Sequence, residues 1–174
     1  PLPLLSQHPS LMKKIGILIF LLLANQIATG QSNIPHSKSV FFELAGSGGI
    51  ASINLEKSFS QRKTAVFTWR AGLSWAPIDN NNGTGIVFPL MVNAIVGKHA
   101  HKLEIGAGQG ITITTKGSFF ALGTAAIGYR YQPPTKKWFY RVTYTPLISY
   151  IVDFQIQQWA GFSIGYTLNG NSNE

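Results

Sequence analysis

Gly161-Phe162-Ser163-Ile164-Gly165-Tyr166-Thr167-Leu168 is the stretch on which the fold turns. Its residues alternate strictly. Side chains of an extended strand point to opposite faces with a period of two. Phe162, Ile164, Tyr166 and Leu168 therefore share one face, and Gly161, Ser163, Gly165 and Thr167 share the other. Two architectures accept such a strand. A water-soluble sheet packs the large apolar face inward. A barrel in lipid turns that face outward and keeps the small polar one inside.

Charged residues separate the two readings. Ile127, Tyr129 and Tyr131 oppose Ala126, Gly128 and Arg130. Tyr140, Val142 and Tyr144 oppose Arg141, Thr143 and Thr145. Phe67, Trp69, Ala71, Leu73 and Trp75 oppose Thr68, Arg70, Gly72 and Ser74. Leu103, Ile105, Ala107, Ile111 and Ile113 oppose Lys102, Glu104, Gly106, Gly108 and Gly110, with Gln109 breaking the apolar face. The small-residue faces thus also carry Glu43, Glu56, Glu104, Arg70, Arg130 and Arg141, three acids and three bases. A narrow eight-stranded barrel is filled by its own side chains, and glycine, serine and threonine leave room there for long charged ones. Buried charges persist only when paired and hydrogen-bonded. The expectation is a Glu–Arg network plugging the lumen.

Eight strands are predicted: Val40–Gly46, Ile50–Phe59, Thr64–Trp75, Val87–Gly97, His101–Thr114, Phe119–Tyr131, Trp138–Leu147 and Trp159–Leu168. Most approach the roughly 9 to 11 residues of a tilted membrane-crossing strand. Ser47-Gly48-Gly49 fits either a tight hairpin or a bulge in one long strand. The hairpin gives an even count, with short turns after the second, fourth and sixth strands. The longer connections, Ala76 to Ile86 and Ile148 to Gln158, then fall on the other side, as in outer-membrane barrels. No amphipathic helix of useful length interrupts the pattern, which argues against an α/β enzyme. The fold class is an all-β, eight-stranded antiparallel transmembrane barrel over 40–168. Trp69, Trp75, Trp138, Trp159, Tyr131, Tyr140 and Tyr144 are expected to form aromatic girdles at headgroup depth.

Composition agrees. Charged residues make up 11% of the chain, against about a quarter in a typical soluble domain, while 45% is hydrophobic. Glycine is abundant, at 18 residues. Cysteine is absent, which excludes disulfides, thiolate catalysis, cysteine-based metal sites and a lipoprotein anchor. The formal charge of +8 would suit nucleic acid, but an exported chain does not normally meet it. The lysines fall largely in predicted turns (Lys98, Lys102, Lys136 and Lys137), where they are solvated or meet anionic headgroups.

Export is read from 12–30. Lys13 and Lys14 precede the apolar run Ile15 to Ala24, and Ala28-Thr29-Gly30 supplies small residues for cleavage before Gln31. The run is too short to cross about 30 Å of hydrocarbon as a helix. Pro1–Leu11, upstream of the natural-looking start at Met12, is read as a gene-start artefact. Residues 31–39 are expected to be a flexible leader and 169–174 a polar tail.

Several ordered segments carry a family resemblance: Phe42-Glu43-Leu44-Ala45-Gly46-Ser47-Gly48-Gly49, Ser52-Ile53-Asn54-Leu55-Glu56-Lys57, Phe88-Pro89-Leu90-Met91-Val92-Asn93, Leu103-Glu104-Ile105-Gly106-Ala107-Gly108, Gly128-Tyr129-Arg130-Tyr131-Gln132-Pro133, Arg141-Val142-Thr143-Tyr144-Thr145-Pro146 and Trp159 to Tyr166. The chain resembles the small outer-membrane β-barrel proteins of Bacteroidetes-type bacteria, with the OmpX/OmpA-transmembrane type of barrel. The resemblance implies an outer-membrane location, contact with outer-membrane lipids and assembly by the barrel insertion machinery, with its signal at Tyr166 or Leu168. It implies no established activity.

The expected role is structural or surface-interacting, with no cofactor, no metal and no nucleic-acid partner. A lipid-modifying enzyme, a narrow channel and a soluble carrier with an apolar interior are the alternatives. Enzymatic hydrolysis needs a serine and a histidine in contact. His8, His36, His99 and His101 all fall in the N-terminal segments or on one predicted turn, while Ser163 faces the lumen. The loop Asp79-Asn80-Asn81-Asn82-Gly83-Thr84-Gly85 lacks the tuned acidic set of a calcium site. His99 and His101 alone are too few for a metal.

Overall fold

The computed structural model describes residues 37–80, 82–150 and 154–168. The expected signal peptide, the upstream segment, leader residues 31–36 with His36, residues 151–153 of the last long connection, and the tail 169–174 lie outside the described residues. The strands are β1 (Lys38–Ala45), β2 (Ala51–Gln61), β3 (Ala65–Asp79), β4 (Gly83–Val96), β5 (His101–Thr114), β6 (Phe119–Tyr131), β7 (Trp138–Tyr144), β8 (Leu147–Ser149), β9 (Gln155–Gln157) and β10 (Ala160–Leu168).

Each strand pairs antiparallel with its sequence neighbour from β1 to β7. β7 pairs with β10, and β10 returns to β1. The sheet is therefore a closed eight-stranded antiparallel barrel. Ten segments make eight staves because two staves are interrupted. β6 pairs with β7 at Ile127↔Tyr144 and resumes with β8 at Thr124↔Leu147, in unchanged register. Pro146 lies in the gap and has no N–H to donate to a ladder. β8 pairs with β9 at Leu147↔Gln157, in line with the Tyr144↔Ala160 pair of β7 and β10.

Two expected long connections are thereby corrected. Ala76 to Ile86 is not a loop: β3 runs on to Asp79 and β4 starts at Gly83. Pro77 sits beside a register irregularity, where a missing ladder donor costs little. Within Ile148 to Gln158, β8 and β9 form a short hairpin. The two ends of the barrel therefore do not divide into short turns and long loops. The start of the barrel also moves, to Lys38, because Lys38 and Ser39 already pair with Leu168 and Thr167.

Ser47-Gly48-Gly49 belongs to a hairpin connection rather than a bulge. Gly46–Gly48 form a 3-10 turn, and the Ala45 amide donates to the Ile50 carbonyl at 2.7 Å. Gly46 and Gly49 have φ of 86° and 91°, a region that favours glycine. The turn folds inward, burying Gly46, Ser47 and Gly48. A side chain at Gly161 would meet the Gly46 Cα at 2.9 Å, so the turn rests against β10.

The polarity of the barrel is inverted relative to a water-soluble protein. Ile53, Leu73, Trp75 and Phe119 are each more than half exposed on the outside. Glu43, Glu56, Arg70, Glu104, Arg130 and Arg141 are each at most 3% exposed inside. Soluble proteins rarely show large contiguous apolar patches and rarely bury charge.

Candidate functional site: a charged lumen between two open ends

All six expected lumen charges come from inward-facing strand positions. Glu43 stands on β1, Glu56 on β2, Arg70 on β3, Glu104 on β5, Arg130 on β6 and Arg141 on β7. They meet in one chain of ion pairs. Arg130 Nη1 lies 2.8 Å from Glu56 Oε1 and 3.4 Å from Glu104 Oε2. Arg141 Nη1 reaches Glu104 Oε1 at 2.8 Å, and its Nη2 reaches Glu43 Oε1 at 3.0 Å. Arg70 Nη1 closes on the same Glu43 oxygen at 3.5 Å. The order is Glu56, Arg130, Glu104, Arg141, Glu43, Arg70, with alternating sign throughout.

Hydroxyls add to the coordination of Glu43, Arg70 and Arg141. Ser163 Oγ accepts from Arg141 Nη2 at 3.1 Å and donates to Glu43 Oε1 at 3.4 Å. Ser47 Oγ accepts from Arg70 Nη2 at 2.9 Å and donates to Glu43 Oε2 at 3.3 Å. The inward 3-10 turn is thus tied to the network by its central residue. Ser163 spends its hydroxyl on this network, and among the described residues no histidine approaches it. His101 lies on the outer face, where Nδ1 meets the Tyr129 hydroxyl and the ring meets Tyr131 at a tilt of 52°, with centres 5.3 Å apart. His99 is exposed on the turn before β5. In the turn between β3 and β4, the Asn80 carbonyl accepts from Lys116 Nζ at 2.8 Å, so a side-chain ammonium occupies that oxygen.

The lumen also holds apolar residues that sequence reasoning missed. Phe41 and Phe139 are fully buried, and Val87, Met91 and Ile95 line the inner face of β4. The Arg130 guanidinium carbon sits 3.9 Å from the Phe139 ring centre, and that of Arg141 sits 4.3 Å from Phe41. Such stacking attracts a cation to the ring face. A signal was present: Phe41 lies two residues before Glu43, and Phe139 two before Arg141, so strand parity places them on the charged face. On β4 the parity was silent, because both faces are apolar.

The expected girdle residues divide by position. Trp69, Trp138 and Tyr140 are exposed on the outer face near the end that holds Lys38 and Leu168, here called the terminal end. Tyr131 is half-buried there under His101. Trp75 and Tyr144 are exposed toward the opposite, distal end. Trp159 does not belong with them. It has the parity of Gly161 and Ser163, it is half-buried, and it lines a distal cavity of about 650 Å3 together with Gly110, Thr112 and Val87. The interruption between β9 and β10 places it at the mouth instead of on the outer surface. A second cavity, of about 580 Å3, opens at the terminal end.

No family model and no curated protein matches the chain. Among solved structures, the N-terminal β-barrel domain of Pseudomonas aeruginosa OprF matches at a TM-score of 0.51 and 11% identity, covering 76% of this chain and 96% of that one. At that identity the likeness concerns the fold alone. Two further barrels fall below a TM-score of 0.5 and add nothing to it. The de novo designed TMB2.3 scores 0.42 at 17% identity, covering 80% of this chain and 99% of that one. Ail of Yersinia pestis, solved with the heparin analogue sucrose octasulfate, scores 0.40 at 10% identity, covering 78% and 100%.

Proposed function

We propose that this protein is a small outer-membrane barrel of the Bacteroidetes-type family, with a structural or surface-interaction role and a lumen closed by its own ion pairs. The observation that carries the reading is the inverted polarity: a closed barrel with large apolar side chains outside and paired charges inside. A closed sheet leaves no unpaired edge in hydrocarbon. Tryptophan and tyrosine near both ends suit the two headgroup layers. An apolar carrier interior is incompatible with six buried charges, so the soluble-carrier alternative has no support in this geometry. The enzyme alternative lacks a serine–histidine contact among the described residues.

Fractionation of cells making the full chain tests the location. The barrel is expected in the outer-membrane fraction and is expected to change its gel mobility on boiling. Recovery as a detergent-free soluble monomer would overturn the reading. Conductance tests the closed lumen. Purified barrel in planar bilayers is expected to give no steady ion-conducting steps at neutral pH, because alternating ion pairs occupy the axis. Sustained open channels would replace the plug with a pore.

A further inference from the structure

The described residues around the cavities at the two ends of the barrel differ in charge. Among the described residues, the distal cavity is lined by no charged side chain. Among the described residues, the terminal cavity is lined by six cationic residues, Arg62, Lys63, Lys98, Lys102, Lys136 and Lys137, and by no acid. They come from three hairpin turns and the start of β5, which the barrel gathers around one opening. The turns are held by backbone bonds. The Gly97 amide donates to the Thr64 carbonyl at 2.8 Å, and the Gln132 amide to the Ala100 carbonyl at 2.7 Å.

Lys102 makes this more than a solvated rim. It faces the lumen directly across from Arg130 in the β5–β6 register. Like charges placed opposite each other on one face repel. Arg130 is answered by Glu56 and Glu104. Among the described residues, Lys102 has no carboxylate within ion-pair distance, and its Nζ donates to the neutral Gln132 amide oxygen at 3.3 Å. A half-buried cation thus forms the floor of a cup whose walls are also cationic. A ligand with several negative oxygens would relieve the repulsion and accept hydrogen bonds from the floor and the rim.

We propose that the terminal cup is a binding site for phosphate-bearing anions. Its cavity of about 580 Å3 admits a compact di- or oligophosphate or the phosphate of a lipid headgroup. Multivalent phosphate is favoured over a single carboxylate because the cations surround the opening and no one pair dominates. The floor of the site adjoins the lumen network at Arg130, and its lipid-headgroup form rests on the membrane location proposed above.

The test is isothermal titration of inorganic pyrophosphate into the folded full chain in uncharged maltoside micelles. Saturable binding that weakens as salt rises is expected, because salt screens the cup. Lys98→Gln with Lys136→Gln, both in exposed turns, is expected to weaken it about tenfold or more, equivalent to about 1.4 kcal/mol. Lys116→Gln, at the distal end, is expected to leave it unchanged. Absence of saturable binding, or equal weakening by Lys116→Gln, would overturn the proposal. Nanodiscs then distinguish the source of the phosphate. If headgroups fill the cup, phosphatidylglycerol discs compete with pyrophosphate and phosphatidylcholine discs do not. Equal pyrophosphate affinity in both assigns the cup to soluble phosphates.

Discussion

Arg141→Leu is expected to lower the stability of the folded barrel by about 3–5 kcal/mol, the usual consequence of removing one partner from a buried ion pair. Arg141 bridges two acids, Glu104 at 2.8 Å and Glu43 at 3.0 Å, and all three side chains are inaccessible to water. Leucine would leave Glu104 with a single ion pair, to Arg130 at 3.4 Å, and Glu43 with a single ion pair, to Arg70 at 3.5 Å, beside its serine hydrogen bonds. Two carboxylates would then share too little positive charge in a water-poor interior. The measurement is the urea midpoint of the barrel in lipid vesicles, followed by tryptophan fluorescence. Lys136→Leu, on an exposed turn, serves as the reference and is expected to shift stability by less than about 0.5 kcal/mol. Adding Glu104→Gln to Arg141→Leu is expected to restore about 1 kcal/mol or more, because the stranded charge is removed together with its partner. If Arg141→Leu shifts the midpoint no more than Lys136→Leu, the network does not hold the barrel together.

The elements of that prediction were legible in the sequence because strand parity is a strict rule. Once Ser163 and Gly165 were placed on the inner face, the same alternation put Arg141 and Arg130 there. Closure of the barrel then forced their meeting with Glu43, Glu56 and Glu104. The hairpin at Ser47 was legible only as one of two options. Its inward fold places the Ser47 hydroxyl between Glu43, four residues back, and Arg70 on β3, a contact across 23 residues that local turn signals do not encode. The extension of β3 and β4 was hidden by Pro77 and the asparagine run, which are turn signals by composition. They were overridden by pairing such as Trp75↔Ile86 and Ala76↔Gly85. Trp159 was misplaced because its type suggested an interface, whereas its parity with Gly161 pointed to the mouth. Type and parity disagreed at that residue, which lies in the break between β9 and β10 and turns toward the mouth with the parity of Gly161.

Parity also explains why one lumen glycine is irreplaceable and another is not. Gly165 stands between Phe41 and Phe139, directly opposite both on the neighbouring strands. The two rings meet edge to face, with centres 6.0 Å apart, across the space that a side chain at 165 would occupy. A Cβ there would overlap the Phe139 ring and lie 2.6 Å from the Phe41 Cβ. The rings cannot swing away freely, since Arg130 and Arg141 stack on them and are themselves held by carboxylates. Gly165→Ala is therefore expected to cost about 3 kcal/mol, the upper part of the usual overpacking range, and to reduce the yield of folded barrel. Gly110→Ala is the contrast. Gly110 is also buried, but a Cβ there meets nothing closer than 3.7 Å. That substitution is expected to be neutral or to stabilise by up to about 1 kcal/mol, through the reduced freedom of the unfolded chain. Combining Gly165→Ala with Phe139→Leu is expected to recover part of the loss, because leucine vacates the ring's position. Equal urea midpoints for Gly165→Ala and Gly110→Ala would mean that the aromatic pair does not fill the lumen as described. A difference that Phe139→Leu erases would tie the arginines, the rings and the glycine into one packed unit.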